Sequence, residues 1–187
     1  MDTPLDEAFA AVPRAEFLPV GVRPFAGEDR PLPIGFRATN SQPWTVRYML
    51  RLLDAHPGDR VLDVGSGSGW TAGLLGWLVG ASGSVVGVDI VPELVAMARD
   101  HLGDRFAWVR FEPAADGVLG WPEGAPYDRI LVSADGGSLP SALVEQLASG
   151  GRMVLPVDGD MVVVDKDATG VTARRSTGDR FAFVPLR

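Results

Sequence analysis

The chain of 187 residues contains no cysteine, which excludes disulfides and thiolate metal sites. Histidine is nearly absent too. His56 and His101 stand alone, are poor material for a metal site, and belong at polar helix ends. No apolar run is long enough to span a bilayer, so no membrane partner is expected. The opening Met1-Asp2-Thr3-Pro4-Leu5-Asp6-Glu7 is acidic and has no signal-peptide core, which makes the cytoplasm the expected location. Basic residues are in deficit: 17 Lys and Arg against 24 Asp and Glu give a net charge of −7. Proteins that grip a nucleic-acid backbone usually carry a basic patch. The nearest approach to one, Arg174-Arg175 with Arg180, is diluted by Asp179, so nucleic acid is not an expected partner. Internal repeats and low-complexity tracts are also missing. What remains is the length and composition of one globular domain with a full-sized core.

The pattern along the chain is that of alternating strands and helices. Thr3-Pro4-Leu5-Asp6 reads as a helix start, and the helix runs to about Ala11 before Pro13 ends it. From Val12 to Pro43 the chain is rich in Pro and Gly, with Phe17, Phe25, Ile34 and Phe36 interspersed, which predicts an ordered loop region. Val46, Met49, Leu50 and Leu53 mark one face of a helix from about Gln42 to Ala55. Strands follow at Arg60–Val64, Ser84–Asp89, Ala107–Phe111, Asp128–Ser133 and Gly151–Pro156, with helices near Thr71–Val79, Glu93–Leu102 and Ser141–Leu147 between them. Such alternation implies a parallel sheet covered on both faces. Met161–Asp165, Val171–Arg175 and Phe181–Pro185 read as short strands without intervening helices, and so as an antiparallel edge.

The segment Val61-Leu62-Asp63-Val64-Gly65-Ser66-Gly67-Ser68-Gly69-Trp70 is the most informative. A strand runs into three alternating glycines, and a helix follows. Glycine admits unusual backbone angles and lets a ligand approach the main chain. The dinucleotide fingerprint places its third glycine one residue later, where close helix–strand packing needs it. Trp70 occupies that place, which argues against NAD. The turn closes the first strand of the alternating section, where ligands of open α/β sheets bind. Asp89 ends the next strand and can accept both hydroxyls of a ribose. Its competing role is to cap the helix that starts at Pro92.

The turn resembles motif I of the class I S-adenosylmethionine methyltransferases. That resemblance implies a Rossmann-like α/β fold: a mostly parallel seven-stranded sheet, helices on both faces and an antiparallel C-terminal edge. It also implies S-adenosylmethionine as cofactor, held by Gly65, Ser66, Gly67 and Gly69, by Asp89 and Ile90, by Asp63 near the cofactor's amino-acid end, and by Asp116-Gly117 at the adenine amino group.

A narrower resemblance covers nearly the whole chain. Val12-Pro13-Arg14-Ala15-Glu16-Phe17-Leu18-Pro19, Pro31-Leu32-Pro33-Ile34-Gly35, Thr39-Asn40-Ser41-Gln42-Pro43, Gly120-Trp121-Pro122-Glu123, Pro140-Ser141-Ala142-Leu143 and Phe183-Val184-Pro185-Leu186 resemble the protein-L-isoaspartate O-methyltransferases, in family order. The implied reaction passes a methyl group to the free α-carboxylate of an isoaspartyl residue in a damaged protein or peptide. The implied organisation is a single domain, 1–187, with residues 1–56 as a helical and loop segment on the substrate side and 57–187 as the cofactor-binding core. A carboxylate attacking a sulfonium methyl needs neither metal nor base, and positioning can carry the catalysis. Ser41, with Thr39 beside it, is the expected catalytic and acceptor-holding pair. Ser41 also directly precedes a helix and is a candidate N-cap, worth roughly 1 kcal/mol.

Departures from the family pattern cluster in the expected acceptor loops. The family usually reads Gly-Gln-Thr-x-Ser after Ile-Gly, whereas this chain reads Arg37-Ala38-Thr39-Asn40-Ser41. After the fourth strand, where small residues are usual, Ser133-Ala134 is followed by Asp135-Gly136-Gly137. An Asp135 facing the site would repel a carboxylate, and Arg37 would offset it or recruit an anion itself. The alternatives are a methyltransferase with a shifted carboxylate or small-molecule acceptor, or a non-catalytic cofactor-binding homologue.

Overall fold

The computed structural model describes residues 3–170 and 172–186. The helices are α1 (Thr3–Ala11), α2 (Pro43–Leu53), α3 (Trp70–Val79), α4 (Pro92–Leu102) and α5 (Ser141–Gln146). The strands are β1 (Leu32–Gly35), β2 (Ala38–Asn40), β3 (Arg60–Val64), β4 (Ser84–Asp89), β5 (Val109–Pro113), β6 (Tyr127–Val132), β7 (Leu147–Val157), β8 (Asp160–Lys166) and β9 (Thr172–Arg180). β3 to β9 form a seven-stranded sheet of order β5-β4-β3-β6-β7-β8-β9. The strands from β5 to β7 in this order pair in parallel, β8 pairs antiparallel with β7, and β9 antiparallel with β8.

The sheet's topological switch lies between β3 and β6. From β3 the chain builds outward through β4 and β5, then returns to pair β6 with the other edge of β3. The central strands are apolar on both faces, as a doubly covered sheet requires. Val61, Val85 and Leu131 pack with residues of α1 to α4, while Leu62, Val64, Val86, Ile130 and Val132 pack with Leu143 of α5 and with the 119–125 loop. Helices therefore lie on both faces, but unevenly. Within α2, Val46, Met49, Leu50 and Leu53 are all buried, as their spacing predicts.

Several local expectations need correction. Phe181–Pro185 is not a strand of the sheet. It is extended, and its one bridge, between Pro185 and Asp135, rests on Asp135 N–H donating to Val184 O (2.8 Å) and Leu186 N–H donating to Asp135 O (2.8 Å). Pro185 has no N–H to continue a ladder. The strand expected at Ala107 starts at Val109, because Phe106 to Val109 forms a turn closed by Val109 N–H donating to Phe106 O. Residue 171, where another strand was expected to begin, lies outside the described residues. The 12–43 region is ordered, but only two of its four presumed anchors are buried: Phe17 and Ile34 are, whereas Phe25 and Phe36 are exposed. Within it lies a hairpin, β1–β2, that the sequence pattern did not reveal.

Candidate active site

The glycine turn leaves β3 at the switch point. Gly65, Gly67 and Gly69 have φ of 78°, 53° and 92°, the region where side chains are disfavoured. Asp89 at the end of β4 ties the turn down. Its Oδ2 accepts from Gly67 N–H at 2.9 Å and its Oδ1 from Val91 N–H at 3.0 Å, so one side chain ties the glycine turn to the residue that precedes α4, whose N-cap is Val91 and not Asp89. Gly69 serves a different purpose from the one expected. A β-carbon there would stand 2.9 Å from Ala98 Cβ and 3.0 Å from Phe111 Cζ, so this glycine lets α3 pack against α4 and does not line the cavity. The close-packing duty of a third glycine is thus met one residue early, and Trp70 turns into the core, donating its Nε1–H to Val12 O.

Asp63 is fully buried, shares its face of β3 with Val61, and neither carboxylate oxygen has a partner among the described residues. Burial, helped by the nearby Asp89 charge, pushes its carboxyl up to about 7. Ser66 Oγ is likewise buried and unpartnered.

One cavity of about 780 Å³ opens from this turn and reaches the β1–β2 hairpin. Gly65, Ser66, Gly67, Asp89 and Ile90 line it at the turn, and Thr39 and Ser41 line it on the hairpin side. Val118, Leu119 and the 180–186 segment complete its wall. Asp116 and Gly117 lie on an exposed turn and do not contribute to the lining; their neighbour Val118 does. The capping reading of Ser41 also fails. The N-cap of α2 is Gln42, and the cap is supplied from a distance: Asp29 accepts from Trp44 N–H (2.8 Å) and from Gln42 Nε2–H (3.0 Å). Ser41 is thereby left free to face the cavity.

The hairpin side rests on Arg14, only 6% exposed. Its guanidinium makes six hydrogen bonds: to Asn40 Oδ1 (2.7 Å) and to the carbonyls of Ala26, Glu28, Arg30, Asn40 and Ser41. Burial, opposed by Asp29, lowers its pKa to about 10, so it stays charged at neutral pH. No periodicity or motif spacing marked Arg14 or Thr45, another buried polar residue on this side, as part of the site.

The two departures from the family pattern part ways in space. Asp135 does not line the cavity. Its carboxylate accepts from the N–H groups of Gly137 (2.8 Å), Asp158 (2.9 Å) and Gly159 (2.7 Å). Burial raises its pKa, but these three bonds and Arg180 outweigh it and hold the group below the usual carboxylate range. Arg37 does line the cavity, at the hairpin tip, with φ of 60° following Phe36 at 53°. Among the described residues its guanidinium has neither a hydrogen bond nor an ion pair.

The mixed sheet with a glycine turn at its switch point is the frame of the S-adenosylmethionine-dependent methyltransferases, and the chain is an enzyme of that class. Within that class the chain belongs to the protein-L-isoaspartate (D-aspartate) O-methyltransferase family, whose profile matches residues 2–187. A protein-L-isoaspartate O-methyltransferase of Methanothrix thermoacetophila is 46% identical over 184 residues, covering 96% of this chain and 86% of the relative. A solved protein-L-isoaspartate O-methyltransferase superposes with a TM-score of 0.87 at 26% identity; the match covers all of this chain but only 62% of that one. A Plasmodium falciparum structure, described as a protein of this type in complex with S-adenosyl-L-homocysteine, matches with a TM-score of 0.84 at 22% identity, covering 100% of this chain and 91% of that one. No described helix is long and apolar enough to cross a membrane.

Proposed function

We propose that the protein methylates the α-carboxylate of L-isoaspartyl residues in damaged proteins and peptides, with S-adenosylmethionine as donor. The observation that carries this reading is the shared cavity, with the glycine turn and Asp89 at one end and Thr39 and Ser41 at the other. The residues present fit the donor. Two positive-φ glycines, Gly65 and Gly67, open the turn to the cavity, and Asp89 beside them supplies a carboxylate for a cationic ligand. When bound, that donor supplies an electrophilic methyl group on a sulfonium.

The chain's own residues do the rest. Asp89 accepts the ribose hydroxyls, the backbone at Gly65, Ser66 and Gly67 takes the amino-acid end above Asp63, and Ile90 with Val118 and Leu119 offers an apolar surface to the base. Ser41 and Thr39, on the hairpin side of the cavity, would donate their hydroxyls to the acceptor carboxylate and hold it for methyl transfer. A carboxylate is already ionised at neutral pH, so no base removes a proton. Positioning is the main catalytic effect.

Residues 1–187 work as one domain in the cytoplasm, with residues 1–56 on the substrate side and 57–187 as the cofactor-binding core. Its macromolecular partners are isoaspartyl proteins and peptides, not nucleic acid. Arg37 at the cavity rim, without a partner among the described residues, favours a second reading, an acceptor carrying an additional anionic group.

The test is labelled S-adenosylmethionine with paired isoaspartyl and aspartyl peptides. Base-labile label on the isoaspartyl peptide alone is expected. Binding of the donor without transfer to that peptide, but with transfer to another carboxylate, would replace the first reading by the second.

A further inference from the structure

The two ends of the cavity belong to segments far apart in the chain, and a side chain joins them. Asn40 closes β2 between Thr39 and Ser41 and is 5% exposed. Its Oδ1 accepts from Arg14 Nε–H at 2.7 Å, which fixes the orientation of the amide. The opposite end is then a donor, and Nδ2–H reaches Ser68 Oγ at 3.2 Å, in the glycine turn between Gly67 and Gly69. On the other side of this contact, Ser68 O lies 3.2 Å from His101 Nδ1 of α4. Arg14 also holds the carbonyls of Asn40 and Ser41, at 3.0 and 2.9 Å. A continuous buried path thus runs from the guanidinium through Asn40 to the turn. A second contact runs beside it, because Ile34 Cδ1 of β1 lies against Gly67, 3.3 Å from where a β-carbon would sit. Polar chains of this kind, satisfied at every member, specify one arrangement.

We infer that Asn40 is a positioning residue that couples occupation of the glycine turn to the order of the acceptor-holding segment Thr39–Ser41. The inference rests on the cofactor and acceptor roles proposed above. Closing the turn around the cofactor fixes Ser68. Ser68 then fixes the Asn40 amide, and with it the backbone that presents Ser41. By linkage, a peptide on Ser41 tightens the turn's hold on the cofactor by the same factor.

The experiment compares wild type with Asn40→Leu and Ser68→Ala. The second variant cuts the bridge while leaving the Arg14–Asn40 bond intact, so it reports even if Asn40→Leu folds poorly. Hydrogen exchange at the amides of residues 38–43 is measured with and without S-adenosylhomocysteine, and no acceptor is needed for this arm. Wild type is expected to gain protection on binding, and both variants to bind without gaining it. Calorimetry then measures S-adenosylhomocysteine affinity with and without an isoaspartyl peptide. A tightening of about fivefold or more, the usual size of coupling between sites, is expected in wild type and absent in the variants. A merely structural role would lower both affinities and leave their ratio unchanged. Protection and coupling retained in both variants would overturn the inference. A wild-type protein that gains protection but never methylates the peptide would instead overturn the acceptor assignment.

Discussion

The two ends of the cavity are built by opposite means. The cofactor end is made of main chain: a strand terminus, a turn whose glycines sit at positive φ, and one acid accepting two backbone N–H groups. The acceptor end is made of irregular segments that side chains hold in place. Arg14 gathers the 26–30 loop and the end of β2, and Asp135 gathers the β7–β8 turn and, through its backbone, the 184–186 segment. The first construction follows from the parallel sheet, and any chain with that sheet and turn acquires it. The second depends on individual charged groups, so a single substitution there can loosen several segments at once.

Four substitutions sharpen or break this contrast. Arg14→Met should do the most, leaving five carbonyls and an amide oxygen without their donor, at a cost of roughly 3 kcal/mol or more. A lowered urea midpoint checks it, and exchange should rise first at 26–30 and 38–43. If the glycine turn loosens equally, the two ends are not separate constructions. Asp89→Ala should weaken S-adenosylhomocysteine binding by about 2 kcal/mol in calorimetry, since a charged acceptor is lost both to the turn and to the ligand. In the unliganded variant the peptide-side segments should keep the protection they have in unliganded wild type.

Asp63→Asn should change a slope more than a level. The Asp63 carboxyl is raised in the folded protein, so the stability it gives is fully present below its ordinary value of 3.8 and is lost as pH rises through about 7. Urea midpoints of wild type should therefore decline across that window, and those of the variant should decline less. The smallest effect is expected from Arg37→Gly, which removes a side chain from φ of 60° and should stabilise by about 1 kcal/mol. The same variant should lose any preference for acceptor peptides with an acidic neighbour. An unchanged ratio of kcat/KM between acidic and neutral peptides would remove Arg37 from acceptor selection.

How much of this the sequence displayed follows the same division. The turn from Val61 to Trp70 was legible because strand, glycines and helix are local signals, each encoded where it acts. Asp89 was legible from its place at a strand end, and the hydrophobic face of α2 from its spacing. Arg14 was not, because its six partners are scattered over residues 26 to 41 and nothing in its neighbourhood announces them. The capping of α2 by Asp29 was hidden for the same reason: a local candidate, Ser41, stood in the expected place while the real cap came from another loop. Asp116 differs in the opposite direction: an Asp-Gly pair after a strand is a turn whether or not a ligand is near, and here the pair forms an exposed turn beside the cavity lining. Asp135 is conspicuous in the sequence as a charge among small residues, but only the fold shows that it spends that charge on three backbone N–H groups away from the cavity.

The crowding around Gly69 has a use in directed evolution. In a saturation library selected for folding alone, position 69 should be purged to glycine, because any β-carbon collides with Ala98 and Phe111. Gly65 meets nothing closer than 3.7 Å, and Gly67 only the tip of Ile34. Those two positions should admit asparagine, which tolerates left-handed backbone, until selection for methyl transfer is applied. The three glycines of one motif would then separate into a structural and a functional class by enrichment score, with no ligand needed to identify the first.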